Sequence, residues 1–258
     1  MDQTDRRDEL IAYLISEEPR FSGNPFPEAI EDKKRIFRSL VNIRPPRPVS
    51  EDFLEIQDEY LKNEIAAAGI TDIDDLTPVK DNLYVWQGDI TTLRADAIVN
   101  AANSDMLGCF APCHACIDNC IHTFAGVQLR LACNDIMVKQ GHKEETGTAK
   151  ITSAFNLPSK YVIHTVGPIV NVKLTKLHEE LLASSYRSCL ELADKNGCES
   201  VVFCCISTGV FMFPNERAAE IAVETVENYL KKAKSVKRVV FNVFKDLDRD
   251  IYMKLLTN

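Results

Sequence analysis

Four cysteines and a histidine fall between residues 109 and 120, in the order Cys109, Cys113, His114, Cys116, Cys120. Thiolate and imidazole are the ligands that Zn2+ prefers, in tetrahedral geometry. Cys109, His114 and Cys116 form a C-x4-H-x-C set within what reads as a loop. Three protein ligands leave a fourth position open, the pattern of a catalytic rather than a structural metal. Cys113 or Cys120 would close it. The alternative is that small apolar thiols simply pack in an interior, which accounts for one or two of them but poorly for a cluster beside His and Pro. Just upstream, Asn100 and Asn103 in Val99-Asn100-Ala101-Ala102-Asn103-Ser104 can direct two amide groups at the hydroxyls of a sugar. Just downstream lies Asp118, either a group that positions or deprotonates an attacking water or an N-cap for the helix carrying Ile121 to Ala132.

Two further segments fit a nucleotide-like ligand. Gly88-Asp89-Ile90 follows a predicted strand, and ligands of open α/β sheets bind beyond the carboxyl ends of strands. A carboxylate there can accept from an adenine amino group, although an Asp after a Gly is also a common turn residue. Ile206-Ser207-Thr208-Gly209-Val210-Phe211-Met212-Phe213-Pro214 lies between an apolar strand and a helix. Backbone amides around such a glycine cradle phosphate without any Lys or Arg; a plain strand-to-helix turn is the alternative. Neither Gly-x4-Gly-Lys nor Gly-x-Gly-x-x-Gly occurs in the chain.

The elements that must position these residues begin near residue 81. Short apolar runs at Tyr84–Gln87, Ala97–Val99, Ala149–Thr152, Tyr161–His164, Val201–Ile206 and Arg238–Val243 alternate with amphipathic stretches. The latter run from about Lys173 to Asn196 and from Asn215 to Ala233, with Thr175 and Asn215 as start signals. Strands alternating with helices of this length imply a three-layer α/β/α domain. Residues 1–80 read instead as helices. Leu10, Ile11, Leu14 and Ile15 share a face ending at Pro19; Ile30, Ile36, Phe37 and Leu40 share another ending before the prolines at 45, 46 and 48. Ser50 reads as an N-cap and Gly69 as a stop. The expected division is a helical extension over 1–80 and an α/β/α domain over 81–258, the extension packing on the main body or forming a partner-binding module.

The 258 residues are 45% hydrophobic and 26% charged, an ordinary globular composition that excludes disorder and collagen-like repeats. The first 80 residues hold 18 acidic and 11 basic side chains and neither Cys nor His, so all nine cysteines and all five histidines lie in the second part. A net charge of −8 argues against a broad nucleic-acid surface. No apolar run approaches the roughly 20 residues of a membrane span. The charged start MDQTDRRDEL lacks the apolar core of a secretory signal. An odd number of cysteines without such a signal points to reduced thiols and a cytoplasmic setting.

Taken in order, these segments resemble the macrodomain family of ADP-ribose-binding modules. The matching residues are Gly88-Asp89-Ile90, Ile98-Val99-Asn100-Ala101-Ala102-Asn103, His164-Thr165-Val166-Gly167-Pro168 and Ser207-Thr208-Gly209-Val210-Phe211. The resemblance covers about residues 80–258 and implies an α/β/α fold with a mixed central sheet. Hydrolytic members carry a glycine run after the Asn pair, then a Val-Asp-Gly-Ala-Ile-His stretch. Ile117-Asp118-Asn119-Cys120-Ile121-His122 fits that stretch, but the segment 109–116 stands where the glycines would be. This departure is similar to the zinc-dependent subgroup, which also carries an N-terminal helical extension.

What that subgroup implies is removal of mono-ADP-ribose from proteins modified on acidic side chains, with ADP-ribose as product. In several bacteria the substrate is a lipoyl-carrier protein modified by a sirtuin-type transferase. By this resemblance Asp89, with Ile90 beside it, holds the adenine. The loop Ser207, Thr208, Gly209, Val210 and Phe211 binds the diphosphate, and Asn103 orients the distal ribose with Asn100 as helper. Zn2+ sits on Cys109, His114 and Cys116 next to the ribose carbon that bears the ester, with Phe211 or Phe213 over the ribose and Asn103 and Asp118 in the catalytic roles. His122 is expected in the core, and Cys133, Cys189, Cys198, Cys204 and Cys205 as packing residues. The rival readings are a non-catalytic ADP-ribose reader, a zinc that only stiffens the loop, and a thiol redox enzyme using Cys113-x-x-Cys116, which lacks a thioredoxin-like setting.

Overall fold

A computed structural model describes residues 1–21, 23 and 27–257. Three helices come first, α1 (Gln3–Ser16), α2 (Ile30–Ile43) and α3 (Glu51–Ala68). Asp2 caps α1 by accepting from the amides of Thr4 and Asp5, Ser50 caps α3 through Phe53 N, and Gly69 ends α3 at φ 91°. Leu10, Leu14, Phe37, Leu40, Tyr60 and Leu61 form a core of their own between these helices, against which Phe124 and Val127 of the following domain also pack.

The strands are β1 (Thr71–Asp72), β2 (Leu83–Gln87), β3 (Leu93–Arg94), β4 (Ala97–Ala102), β5 (Ala149–Ser153), β6 (Tyr161–Val166), β7 (Ser200–Phe203) and β8 (Arg238–Val243). The helices are α4 (Ile117–Ala125), α5 (Val127–Gln140), α6 (Lys176–Lys195), α7 (Asn215–Leu230) and α8 (Asp246–Thr257). β1 and β3 form a small parallel pair; the main sheet has the order β2-β8-β7-β4-β6-β5. Its pairs are parallel except β5–β6, so the sheet is mixed. Its central strands are apolar on both faces because helices cover both, giving the expected three-layer α/β/α architecture with helices before the sheet. β4 is followed by strands to one side of it, and β7 by β8 on the other. The crevice between the carboxyl ends of β4 and β7 is therefore a topological switch point, where such sheets bind ligands. Among the described residues no helix is long and apolar enough to cross a membrane.

Four local expectations are corrected. The strand expected to reach Ile206 ends at Phe203, because the chain must turn into a loop whose Ser207 adopts φ 66°. The helix expected over Ile121–Ala132 breaks at Gly126, φ 95°, where a Cβ would come within 2.7 Å of Gln57 Nε2. Gln57 of α3 instead accepts from Val127 N at 3.0 Å and starts α5. Asp118 is not an N-cap: Cys116 holds that position, its sulfur accepting from Asn119 N. Asn215 does not cap α7; its amide donates to Asp248 at 2.6 Å, and Pro214 precedes the helix. Thr175 does cap α6, with His178 closing a reciprocal capping box.

Candidate active site

The segments singled out in the sequence all leave the sheet at one edge. Asp89 follows β2, Asn103 follows β4, Gly167 follows β6 and the 204–213 loop follows β7. Gly88 donates to Val243 O at 3.1 Å, and a Cβ there would lie 2.5 Å from the Trp86 ring, which would have to move. Asp89 is exposed; its Oδ1 accepts from Thr91 N and Thr91 Oγ1 at 2.9 and 2.7 Å, which leaves Oδ2 for a ligand. Ile90 is 1% exposed, so only its backbone can reach that ligand. Next to it Phe244, just past β8, is 79% exposed, an aromatic face laid bare at the ligand edge. Sequence reasoning missed it; the signal was an aromatic directly following a strand buried on both faces.

The 207–213 loop is folded on itself by Met212 N→Gly209 O and Phe213 N→Ser207 O, both 3.0 Å. The amides of Gly209, Val210 and Phe211 donate to no backbone carbonyl among the described residues. Consecutive free amides form a concavity suited to an anion. Ser207 is buried with its Oγ unpartnered, and a Cβ on Gly167 would lie 2.1 Å from that oxygen. Thr208 Oγ1 donates to Cys205 O, Val210 is exposed and Phe211 is half-buried. Phe213 is 1% exposed and part of the core, which leaves Phe211 as the aromatic able to cover a ribose.

At the end of β4, Asn103 closes its own loop: Oδ1 accepts from Asp105 N at 3.0 Å and Nδ2 donates to Gly108 O at 3.2 Å. Gly108, φ 80°, is needed there because a Cβ would meet the His122 ring at 2.8 Å. Asn100 is fully buried and does not open onto the crevice. Its amide donates to Asp118 Oδ1 at 2.7 Å and to His164 Nδ1 at 3.2 Å. With Nδ1 accepting, the imidazole proton lies on Nε2, 3.0 Å from Thr152 Oγ1. Burial holds His164 neutral, its pKa lowered to about 3. Burial also raises Asp118 to about 6, opposed by the Asn100 hydrogen bond and the Arg130 charge. Its carboxylate is thus fixed in direction and more basic than an exposed one. His122 is buried as expected, with Nε2 3.6 Å from Asp118 Oδ1.

Cys109, His114 and Cys116 bring one ligand atom each within 4.8 Å of one another, and Cys109 Sγ lies 3.7 Å from His114 Nδ1. Bond lengths of about 2.3 Å to sulfur and 2.0–2.1 Å to nitrogen put the S···N edge of a tetrahedral zinc site near 3.6 Å. Burial pushes the Cys116 thiol up to about 12, with the neighbouring Cys109 sulfur adding to the effect. A cation would offset that burial for a thiolate at Cys116, and a donor set of two sulfurs and one imidazole fits a zinc ion. Cys113 does not join: at φ 53° it turns its sulfur to Ser39 Oγ, 3.2 Å away, and to Arg35 O. Cys120 lies beside Arg38 instead. The group has three ligands, with His114 exposed. A second group, His122, Cys133 and His164, also brings its ligand atoms within 4.8 Å of one another but is wholly buried. Sequence reasoning also missed Arg38 and Arg130, whose partners lie more than 20 residues away along the chain.

The arrangement has close counterparts among known proteins. Residues 99–222 match the family described as Macro domain. A protein-ADP-ribose hydrolase of Treponema medium is 58% identical over 261 residues, spanning all of both chains. Another, from Staphylococcus aureus strain MSSA476, is 55% identical over 94% of this chain and 93% of its own. Among solved structures, the Trypanosoma brucei macrodomain in complex with ADP-ribose superposes with TM-score 0.66 at 27% identity, covering 90% of this chain and 97% of that one. The Oceanobacillus iheyensis macrodomain with ADP gives TM-score 0.62 at 39% identity over 70% and 93%. With fold, crevice and full-length relatives in agreement, the chain belongs to the macrodomain family.

Proposed function

We propose that this chain is a zinc-dependent protein-ADP-ribose hydrolase that removes mono-ADP-ribose from acidic side chains. The observation that carries the reading is the convergence of an open Cys109–His114–Cys116 group with Asp118, which lies in the first turn of the helix that Cys116 caps. A module that only reads ADP-ribose has no use for a three-ligand metal site and a basic carboxylate side by side.

ADP-ribose lies along the carboxyl edge of the sheet. Asp89 Oδ2 accepts from the adenine amino group while Phe244 offers its ring to the base. The free amides of Gly209, Val210 and Phe211, with Ser207 Oγ, take the diphosphate, and Thr208 braces their loop. Asn103, tied to the residue before Cys109, directs the distal ribose, and Phe211 covers it. Cys109, His114 and Cys116 would hold Zn2+, which would supply the Lewis acidity that lowers the pKa of a ribose hydroxyl or a water toward neutrality. Asp118, held by Asn100, accepts the proton of the water that attacks the ester. Asn100 therefore serves the reaction through Asp118 rather than by touching the ligand. The products are ADP-ribose and the restored carboxylate. A lipoyl-carrier protein modified by a sirtuin-type transferase is the substrate that the family resemblance suggests.

The test offers the zinc-loaded protein substrates carrying ADP-ribose on Asp or Glu, on Ser and on Arg. Release from the acidic linkages, abolished in Cys116→Ala while ADP-ribose still binds, supports the reading. Tight binding without release from any linkage would replace it with the reader.

A further inference from the structure

Helix α2 lies outside the ADP-ribose-binding sheet, yet its side chains grip the loop that carries the three metal-ligand candidates. The side-chain hydrogen bonds of Arg38 go to this loop and to the first turn of α4 that follows it. Nε and Nη2 donate to Asn119 Oδ1 at 3.2 and 2.8 Å, and Nη2 also donates to His114 O at 3.0 Å. Nη2 further lies 3.4 Å from Cys120 Sγ. Because Asn119 Oδ1 is taken by the guanidinium, its amide must face the other way. Asn119 Nδ2 donates to Cys109 O at 3.4 Å and Ala111 O at 3.0 Å. The backbone amide of the same residue donates to Cys116 Sγ at 3.4 Å. One guanidinium and the residue it holds thus reach all three ligand residues: His114 directly, Cys109 through the Asn119 carboxamide and Cys116 through the Asn119 backbone amide.

The rest of α2 holds the loop ends. Asn42 Oδ1 accepts from Cys113 N at 2.9 Å, fixing the left-handed residue between two of the ligands. Arg130 of α5 donates to Val41 O at 2.9 Å and to Arg44 O, capping the carbonyl end of α2, while its Nε holds Leu107 O at 2.7 Å. The stretch from Ser104 to Cys116 contains neither helix nor strand. A ligand set on such a loop pays ordering entropy each time metal binds unless something else has ordered it.

We propose that Arg38 is a positioning residue for the metal, working through Asn119 to set the spacing and direction of Cys109, His114 and Cys116. The N-terminal helical layer is then part of the reaction's apparatus. The inference rests on the zinc reading above. A planar fork suits the task, since two N–H groups converge on one oxygen and a third contact reaches a carbonyl; an ammonium cannot reproduce this.

The test measures zinc affinity of the full-length protein by competition with a chromophoric chelator, and the visible absorption of the Co2+ form. Arg38→Ala is expected to weaken zinc about 10- to 100-fold, the usual effect of removing a group that orients metal ligands, and to alter the Co2+ spectrum. ADP affinity should stay within about twofold. Arg38→Lys should recover only part of the loss. Lys33→Ala breaks the pair with Asp8 inside the helical layer and should leave zinc affinity unchanged. Wild-type zinc affinity in Arg38→Ala, with Cys109→Ala losing it, would overturn the positioning role and spare the zinc reading. Equal weakening in Lys33→Ala would overturn it too, as mere loosening of the layer. Wild-type affinity in Cys109→Ala would instead sink the zinc reading itself.

Discussion

Two groups in this molecule offer the same kinds of ligand atom at the same spacing, and their surroundings set them apart. Cys109, His114 and Cys116 sit on a loop, partly open to solvent, and a thiolate at half-buried Cys116 calls for a cation. His122, Cys133 and His164, from α4, α5 and β6, are sealed in the interior, and the His164 nitrogens are already engaged by Asn100 and Thr152. Burial pushes Cys133 up to about 12 and holds both imidazoles neutral, leaving a thiol and two uncharged rings in a closed interior. Spacing alone does not make a metal site. Access does, and in the sealed group His164 serves instead to hold Asn100, and through it Asp118, in place.

The sharpest way to break this contrast is to remove one cysteine from each group. Cys116→Ala is expected to release zinc and lower turnover by at least about 100-fold. Cys133→Ala should keep zinc and turnover and lose only about 1 kcal/mol of stability from the small cavity. Metal content, ADP-ribose release and thermal unfolding check both. Equal zinc in the two variants would erase the distinction.

Asp118 links the groups, and its replacement comes next. Asp118→Asn should reduce turnover about 100- to 10,000-fold while stabilising the metal-free fold. A folded pKa of about 6 lies above that of an exposed Asp. The native state therefore holds an extra proton between about pH 4 and 6, and stability falls as pH rises through that window. Above it the wild type carries a deficit on the order of 3 kcal/mol that the Asn variant lacks, read by denaturant unfolding at pH 4 and pH 7.5. For the zinc-loaded wild type, kcat/KM should rise with pH along an acid limb at or below about pH 6 and lose that limb in Asp118→Asn, because a nearby cation lowers a carboxyl pKa further. The smallest effect is expected from Thr152→Val, which takes away the partner of His164 Nε2. It should cost about 1–3 kcal/mol of stability and leave zinc affinity untouched.

The α/β/α class, the six strands of the main sheet and the capping by Ser50 and Thr175 were legible because periodicity and cap chemistry are local signals. So was the C-x4-H-x-C set, whose three members the fold does bring together. What escaped depended on distant partners. Asp118 resembles an N-cap until Cys116 is found in that position and Asn100 is seen to draw the carboxylate inward. Asn100 looks like a ligand group beside Asn103, but alternation along β4 sends one to the interior and the loop that follows presents the other. Gly126 interrupts a helix because Gln57, 69 residues earlier, occupies the space. Arg38 carries no sign in its own neighbourhood of what it holds.

The most direct measurement of the central claim is ADP-ribose release from a protein modified on acidic residues, before and after zinc removal and again after zinc is restored. Free ADP-ribose binding is followed in each sample. Turnover is expected to vanish on stripping and return on reloading, with binding intact throughout. Turnover that survives complete metal removal would contradict the claim.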